Sequence, residues 1–247
     1  MRRNLGSFGT VPWGGCAMRE FDTLIFDWDG TLSDSVGHIV SAMRAAAQDA
    51  DMPVPTSTAV RGIIGLGLPE AVADLYPHES DARRLAAVVD SYRQQYRAQE
   101  AQPVLLFPGV REALDAWRAE GYRLAVATGK GRGGLERMLR SHDLLDYFDA
   151  TRCADETASK PHPRMLREIL QQLDGAPSRA LMVGDSSFDL DMATQAGMGS
   201  IGVTYGAQSR EQLLRCKPLH LIDEFVELAG WLKAPCPSNQ KMAMGEA

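Results

Sequence analysis

The stretch Leu24-Ile25-Phe26-Asp27-Trp28-Asp29-Gly30-Thr31-Leu32 has the features of a strand that runs into a binding site. Its three opening apolar residues predict a buried strand, and Gly30-Thr31 predicts a turn. Ligands of open α/β sheets bind beyond the carboxyl ends of the strands, which is where Asp27 and Asp29 fall. While the chain stays extended, the two-residue spacing directs both carboxylates to one side. The stretch therefore predicts an active site at the end of this strand.

The pair of carboxylates points to chemistry or to cation binding. Neighbouring carboxylates repel each other, so that one keeps a proton or both share a cation. A calcium loop of the EF-hand type would need Gly at its sixth position and Glu at its twelfth. Counted from Asp27, those positions hold Leu32 and His38, which excludes that loop. A solvated acidic turn remains the alternative, and the motif favours catalysis over it.

Composition and charge restrict the class of protein. The chain has 247 residues, 45% of them hydrophobic and 23% charged, which is typical of a soluble globular protein with one large or two smaller domains. A net charge of −6 argues against broad binding to nucleic acid or to membranes. No apolar stretch approaches the roughly 18 residues of a membrane span. We therefore expect neither nucleic acid nor a membrane as partner.

The cysteines and the N-terminal residues indicate a cytoplasmic protein. The Gly-rich stretch 4–15 lacks the continuous apolar core of a secretory signal. The cysteines form no CxxC pair, which argues against structural zinc and favours reduced thiols. They are Cys16, Cys153, Cys216 and Cys236.

Strands and helices alternate over most of the chain. Apolar runs predict strands at 123–127, 179–183 and 200–203, besides the one at 24–26. Helical patterns lie between them at about 132–141, 162–173, 188–197 and 209–215. This alternation predicts an α/β fold with a Rossmann-like parallel sheet that is flanked by helices on both faces.

The domain organisation follows from where these patterns stop. Residues 35–106 show helical spacing and no clear strand, which predicts an α-helical cap domain inserted into an α/β core of residues 18–34 and 107–232. Since the insertion follows the strand with the carboxylates, it is well placed to act as a lid. A helical layer packed permanently on the sheet is the alternative. Residues 1–17 and 233–247 lack periodicity and predict a disordered leader, with Met18 a candidate start, and a disordered tail.

Two positively charged candidates follow later strands. Thr128-Gly129-Lys130 ends the second predicted strand, and its hydroxyl and backbone N–H groups could hold phosphate oxygens. Position 131 is Gly where a P-loop needs Ser or Thr, which excludes a P-loop, and Lys130 taken alone is interpreted as a solvated lysine. Lys160 stands between Ser159 and Pro161, where a rigid backbone can present a fixed charge. A surface lysine is the alternative there.

Further carboxylates follow the strand at 179–183. Asp185 comes directly after Gly184, and Asp189 follows in the next turn. Asp189 could instead be a first-turn acid that the helix dipole favours, and this is our interpretation of Asp191.

These residues together resemble the motifs of the haloacid dehalogenase superfamily, whose members use an aspartate nucleophile. Asp27-Trp28-Asp29-Gly30-Thr31 is similar to the first motif, Thr128 to the second and Lys160 to the third. Gly184-Asp185 with Asp189 is similar to the fourth. The resemblance covers about residues 20–232. The helical insertion, the stretch Arg61–Leu68 and Thr128-Gly129-Lys130 resemble the phosphoglycolate phosphatase-like branch.

The resemblance implies a role for each of these positions. Asp27 would be the nucleophile and Asp29 the general acid and base. Asp27, the backbone carbonyl of Asp29 and Asp185 would hold Mg²⁺, with Asp189 as a ligand directly or through water. Thr128, Gly129 and Lys160 would bind the transferring phosphate oxygens.

The resemblance also implies the reaction. We expect a Mg²⁺-dependent phosphatase that hydrolyses a small phosphorylated metabolite, phosphoglycolate-like or a sugar phosphate, through an aspartyl phosphate. The alternatives are a sugar-phosphate mutase and a non-catalytic binding or regulatory module on the same fold. The protein would be a monomer or a homodimer, and its specificity would reside in the cap near Arg61 and Gly65-Leu66-Gly67.

Overall fold

The computed structural model describes residues 20–99 and 103–234. The predicted leader and all but the first two residues of the predicted tail lie outside these ranges, as do Cys16 and Cys236.

The described residues form one parallel sheet of six strands at the core of the fold, which confirms the predicted Rossmann-like α/β class. The strand order is β3-β2-β1-β4-β5-β6, so β1 is central. Phe26 at the end of β1 is paired with Val126 on β2 and with Val183 on β4. The residues that follow these three strands therefore meet at one edge of the sheet. The strands are β1 Thr23–Phe26, β2 Arg123–Thr128, β3 Ala150–Cys153, β4 Ala180–Gly184, β5 Gly199–Val203 and β6 His220–Ile222.

Apolar side chains cover both faces of the sheet. Every residue of β1 is fully buried. Successive residues of a strand face opposite sides, so Phe26 packs with Trp117 and Phe225 on one face. Ile25 packs with Met165 and its neighbours on the other face. Burial on both faces explains why the central strands are continuous apolar runs rather than alternating ones.

Helices surround the sheet and form a layer beyond its carboxyl edge. Among the residues with described structure, no helix is both long and apolar enough to cross a membrane. In the described part of the chain, four helices follow β1 before a fifth helix leads into β2. They are α1 Val36–Asp49, α2 Ser57–Ile63, α3 Leu68–Leu75 and α4 Ala82–Ala98. The helices that follow are α5 Val110–Ala119, α6 Arg132–Ser141, α7 Arg164–Gln172, α8 Ser187–Ala196, α9 Arg210–Arg215 and α10 Glu227–Lys233.

The helices α1–α4, called the helical layer below, have an apolar core of their own. Met43 of α1, Val60 of α2, Val72 of α3 and Val88 of α4 belong to one cluster that is separate from those on the sheet. The chain enters the helical layer from the sheet and returns to the sheet at neighbouring points. The hydrogen bond from the Phe107 N–H to the Leu32 carbonyl shows this. The described residues of the layer contain no strand, as predicted. Its division from the core as a cap domain stays a prediction.

The structure corrects the sequence prediction at three elements. Strands β3 and β6 were not predicted, because β3 contains Thr151 and Arg152 and β6 has only three residues. The helix predicted over 162–173 begins at Arg164, after Pro161 and Pro163. A residue that precedes proline is disfavoured in the helical conformation, so the two prolines delay the start.

Candidate active site

Three buried carboxylates converge at the carboxyl edge of the sheet. Asp27 follows β1, Asp185 follows β4 and Asp189 lies in the first turn of α8. One carboxylate oxygen of each lies within 4.8 Å of the others, and all three residues are buried. The Asp27 N–H donates to the Val183 carbonyl at 2.9 Å, which extends the β1–β4 pairing by one residue. The sheet itself therefore brings Asp27 to Asp185.

The turn after β1 permits the close approach of Asp185. Gly30 has a positive φ of 82°, a conformation that residues with a side chain seldom adopt. A Cβ at this position would lie 2.1 Å from Asp185 Oδ2. The Ala207 N–H donates to the same oxygen at 2.6 Å, which fixes the carboxylate in place.

Lys160 is the cation of this cluster. Its Nζ lies 2.7 Å from Asp27 Oδ1 and 2.6 Å from Asp189 Oδ1, and its side chain is fully buried. The alternative of a surface lysine is therefore wrong. The ammonium of Lys160 is held in one place between two carboxylates.

Asp189 is both a carboxylate of the cluster and the first-turn acid of α8, the two interpretations that the sequence left open. Its Oδ2 accepts hydrogen bonds from the Ser186 N–H at 3.2 Å and from the Ser186 hydroxyl at 2.6 Å, as the first-turn acid of α8. Its Oδ1 faces Lys160 within the cluster. Asp191 is exposed and interacts with Cys216, away from the cluster.

The electrostatics of the cluster favour a bound cation. Burial raises the pKa of Asp27 to about 7, although Lys160 opposes the shift. Burial and the charges of Asp27 and Asp189 raise the pKa of Asp185 as well. Burial lowers the pKa of Lys160, but the two carboxylates outweigh this and raise it. Three carboxylates thus face one ammonium group in a buried site.

The oxygens of this cluster fit a hard metal ion. Asp27 Oδ2 and Asp185 Oδ1 are buried and accept no hydrogen bond from the described residues. Buried oxygens without a donor are rare in proteins, and carboxylate oxygens are the ligands that Mg²⁺ prefers. Asp27, Asp185 and Asp189 could therefore hold such an ion.

Asp29 lies beside this cluster and has a different set of partners. Its Oδ1 accepts from the Ser35 hydroxyl at 2.6 Å and lies 3.1 Å from Lys130 Nζ. The interpretation of Lys130 as a solvated lysine is wrong, because only 10% of its side chain is exposed. Burial lowers the pKa of Lys130, but Asp29 together with Tyr96 and Tyr92 outweighs this effect and raises it. The Asp29 carboxylate lies outside the three-carboxylate group.

Thr128 and Gly129 form the wall between the sheet and the helical layer. Thr128 is buried at the end of β2, and its hydroxyl accepts from the Lys130 N–H at 3.1 Å. A Cβ at Gly129 would lie 2.4 Å from the Leu66 carbonyl oxygen and 2.5 Å from that of Gly65. Only glycine permits the backbone of the helical layer to approach β2 this closely.

A cleft of about 380 Å³ connects these groups to the helical layer. Asp27, Asp29 and Thr128 line it from the sheet, and Tyr92 and Tyr96 of α4 line it from the layer. The sequence offered no signal for the two tyrosines, whose spacing is that of an ordinary apolar helix face. Of the predicted specificity residues, Gly65-Leu66-Gly67 borders the cleft. Arg61 is exposed and lies 3.4 Å from the Gly206 carbonyl.

The family model for haloacid dehalogenase-like hydrolases matches residues 24–203 of this chain. The chain belongs to this family. The matched range runs from β1 to the end of β5 and includes the three clustered carboxylates, Lys160, Asp29 and Lys130. The resemblance stated from the motifs is thereby confirmed.

Curated relatives and solved structures of this family agree with the match. The chain is 40% identical to "Probable phosphatase IndB" of Dickeya dadantii (strain 3937), over 84% of this chain and 91% of that protein. It is 30% identical to a phosphoglycolate phosphatase of Salmonella paratyphi A, over 88% of this chain and 94% of that protein. The crystal structure of a predicted phosphoglycolate phosphatase from Haemophilus somnus 129pt superimposes with a TM-score of 0.78 and 26% identity, covering 88% of this chain and all of that one. This haloacid dehalogenase-like hydrolase is an enzyme of the phosphoric monoester hydrolase class.

Proposed function

We propose that this enzyme is a Mg²⁺-dependent phosphatase that hydrolyses a small phosphorylated metabolite through an aspartyl phosphate at Asp27. The observation that carries the proposal is the buried group of Asp27, Asp185 and Asp189 around Lys160. The names of the relatives support phosphoglycolate or a similar small ester as the substrate. A sugar phosphate is the other substrate that we propose. The net charge of −6 supports a small-molecule partner over nucleic acid. We propose a cytoplasmic monomer or homodimer.

Three carboxylates and one backbone carbonyl would jointly coordinate the metal ion. Asp27, Asp185 and the backbone carbonyl of Asp29 would be ligands, with Asp189 as a ligand directly or through water. The bound ion supplies the positive charge that lets a phosphate dianion approach a carboxylate nucleophile. The two buried oxygens without donors, one each on Asp27 and Asp185, support this assignment.

The side chains around the cleft would take part in two successive displacements at phosphorus, the first by Asp27 and the second by water. The Asp27 carboxylate attacks phosphorus, and the bond from phosphorus to the leaving oxygen breaks while Asp29 gives that oxygen a proton. Asp29 next takes a proton from water, which attacks the same phosphorus. The bond to Asp27 breaks, inorganic phosphate leaves, and the carboxylate is restored. Lys160, the Thr128 hydroxyl and the Gly129 N–H would stabilise the transferring oxygens.

Asp29→Asn is expected to separate the acid step from the nucleophilic step. The variant keeps Asp27 but has no group that can protonate an alkoxide, so turnover of an alkyl phosphate falls by about 10²–10⁴-fold. An aryl phosphate, whose leaving group needs no proton, loses much less. Steady-state turnover of both esters measures this difference, and equal losses would remove Asp29 from the acid role.

Metal dependence tests the proposal directly. A panel of small phosphate esters, assayed for released inorganic phosphate with and without Mg²⁺, is expected to show activity only with the ion. Phosphate release also excludes a sugar-phosphate mutase, which returns the phosphoryl group to its substrate. Full activity after exhaustive chelation would contradict the proposed function.

Asp185→Ala is expected to shift the Mg²⁺ dependence. It removes one proposed ligand, so half-maximal activity needs at least about tenfold more Mg²⁺, in line with the loss of a metal contact. Turnover stays reduced at saturation. Asp191→Ala is the matched control, because it removes an exposed carboxylate of α8 that does not face the cluster. Equal Mg²⁺ midpoints for the two variants would exclude Asp185 as a ligand.

A further inference from the structure

Lys130 lies between the proposed acid and the helical layer. Its Nζ is 3.1 Å from Asp29 Oδ1 on one side. On the other side it lies 4.6 Å from the ring centroid of Tyr96 and 3.5 Å from the Tyr96 hydroxyl. A cation at this distance from an aromatic face is attracted by the ring. The lysine therefore contacts both groups with its one charged end.

Asp29 is held through one of its two oxygens. The Ser35 hydroxyl and Lys130 Nζ both approach Oδ1. Within residues 20–99 and 103–234, no group donates a hydrogen bond to Oδ2, and Asp29 lines the cleft. A carboxylate fixed in this way keeps its second oxygen available for proton transfer to a leaving group.

The stem of Lys130 is fixed as well. Its N–H donates to the Thr128 hydroxyl, and a Cβ at Gly134 of α6 would lie 2.9 Å from Lys130 Cγ. A long lysine side chain ordinarily samples many rotamers, and close packing of its stem reduces that freedom before the charge reaches Asp29.

Tyr96 connects this contact to the helical layer. Tyr96 packs against the apolar cluster of the layer rather than against those of the sheet, and its ring stands 5.8 Å from that of Tyr92. Lys130 lies between β2 and α6, which belong to the sheet and its flanking helices. The Tyr96–Lys130 contact exists only while α4 lies over the cleft.

We propose that Lys130 is a positioning residue, which orients Asp29 for proton transfer and is itself held in place by Tyr96 of the helical layer. The placement of α4 is thereby coupled to the acid step. This inference rests on the proposed function, since it assigns a partner to the acid and base of that reaction.

Lys130→Met tests the role in positioning. The change keeps the apolar stem and removes the charge, so Asp29 loses one of its two fixed contacts. Turnover of an alkyl phosphate is expected to fall by about 10–100-fold, part of the full general-acid effect. Turnover of an aryl phosphate falls by less than about threefold, and KM changes little for either ester. Equal losses of turnover for both esters would show a merely structural role, and a raised KM for both would show substrate binding; either result overturns the inference.

Tyr96→Leu tests the coupling to the helical layer. It is expected to lower alkyl turnover in the same leaving-group-dependent way, and the Lys130→Met/Tyr96→Leu double variant loses no more than Lys130→Met alone, because the two residues act as one unit. Losses that multiply would separate Tyr96 from Lys130. Tyr76→Leu is the matched control: this tyrosine of the same layer donates its hydroxyl to the Pro53 carbonyl and does not line the cleft. It is expected to leave the ratio of alkyl to aryl turnover unchanged.

A second variant at Lys130 and an assay of the unmodified enzyme distinguish failure of this inference from failure of the proposed function. If Lys130→Met does not fold, Lys130→Arg provides the comparison, because a guanidinium can still pair with Asp29 and is expected to retain the normal ratio of alkyl to aryl turnover. A changed ratio in a folded Lys130→Arg variant would count against the inference. The proposed function fails separately, if the unmodified enzyme releases no phosphate from any ester or if its activity survives chelation.

Discussion

Asp27→Asn is expected to abolish phosphate release from every ester that the unmodified enzyme hydrolyses. An amide is a poor nucleophile, and its neutral oxygen is a weaker ligand for a hard cation than a carboxylate oxygen. The variant also removes the negative charge that lies 2.7 Å from Lys160 Nζ. Phosphate release over long incubations, at saturating Mg²⁺ and substrate, measures the loss.

Asp34→Asn is the matched control for this substitution. Asp34 follows β1 in the same segment but is exposed, so the change of carboxylate to amide there is expected to leave turnover within about twofold, as for surface substitutions in general. Activity of Asp27→Asn that matches the control would remove Asp27 from the role of nucleophile.

Lys160→Met is expected to lower both turnover and stability. The ammonium is fully buried between Asp27 and Asp189, and no other cation of the described residues lies within ion-pair distance of these two carboxylates. Loss of one partner of a buried ion pair costs about 3–5 kcal/mol in the free energy of unfolding. Loss of a preorganised donor to the transferring oxygens lowers turnover by about 10²–10³-fold. Denaturant unfolding and steady-state kinetics measure the two effects.

The metal and a surface lysine provide the controls for Lys160. Mg²⁺ is expected to restore part of the lost stability, since an ion that binds only the folded protein raises its free energy of unfolding. Lys233→Met removes a lysine whose side chain is 70% exposed, and is expected to change the free energy of unfolding by no more than about 0.5 kcal/mol. A Lys160→Met variant as stable and as active as Lys233→Met would contradict the role given to Lys160.

The central strands could be predicted from the sequence because burial on both faces leaves a strong signal. β1, β2 and β4 consist mainly of apolar residues, and β5 keeps the buried Ile201 and Val203. The apolar pattern is weaker in the two outer strands of the sheet. There β3 contains Thr151 and Arg152, and β6 begins with the exposed His220. Edge strands pack against fewer neighbours, so their sequences are less restricted to apolar residues.

The candidate site could be predicted where its residues follow strands, and not where partners meet only in space. Asp27, Thr128 and Asp185 each stand at the end of an apolar run, so the parallel topology alone brings them together. Lys130 has no such signal, because its burial depends on Asp29 and Tyr96, which lie far from it in the sequence. The double role of Asp189 likewise depends on the position of Lys160.

Rapid acid quenching can capture the proposed aspartyl phosphate at Asp27. Enzyme mixed with substrate and Mg²⁺ is stopped with acid after a few milliseconds, digested, and analysed by mass spectrometry. We expect one phosphoryl group on the peptide that contains Asp27, formed during turnover and absent from Asp27→Asn. An unmodified Asp27 peptide during rapid phosphate release, at every quench time and with the phosphoryl group stable to the digestion conditions, would contradict it.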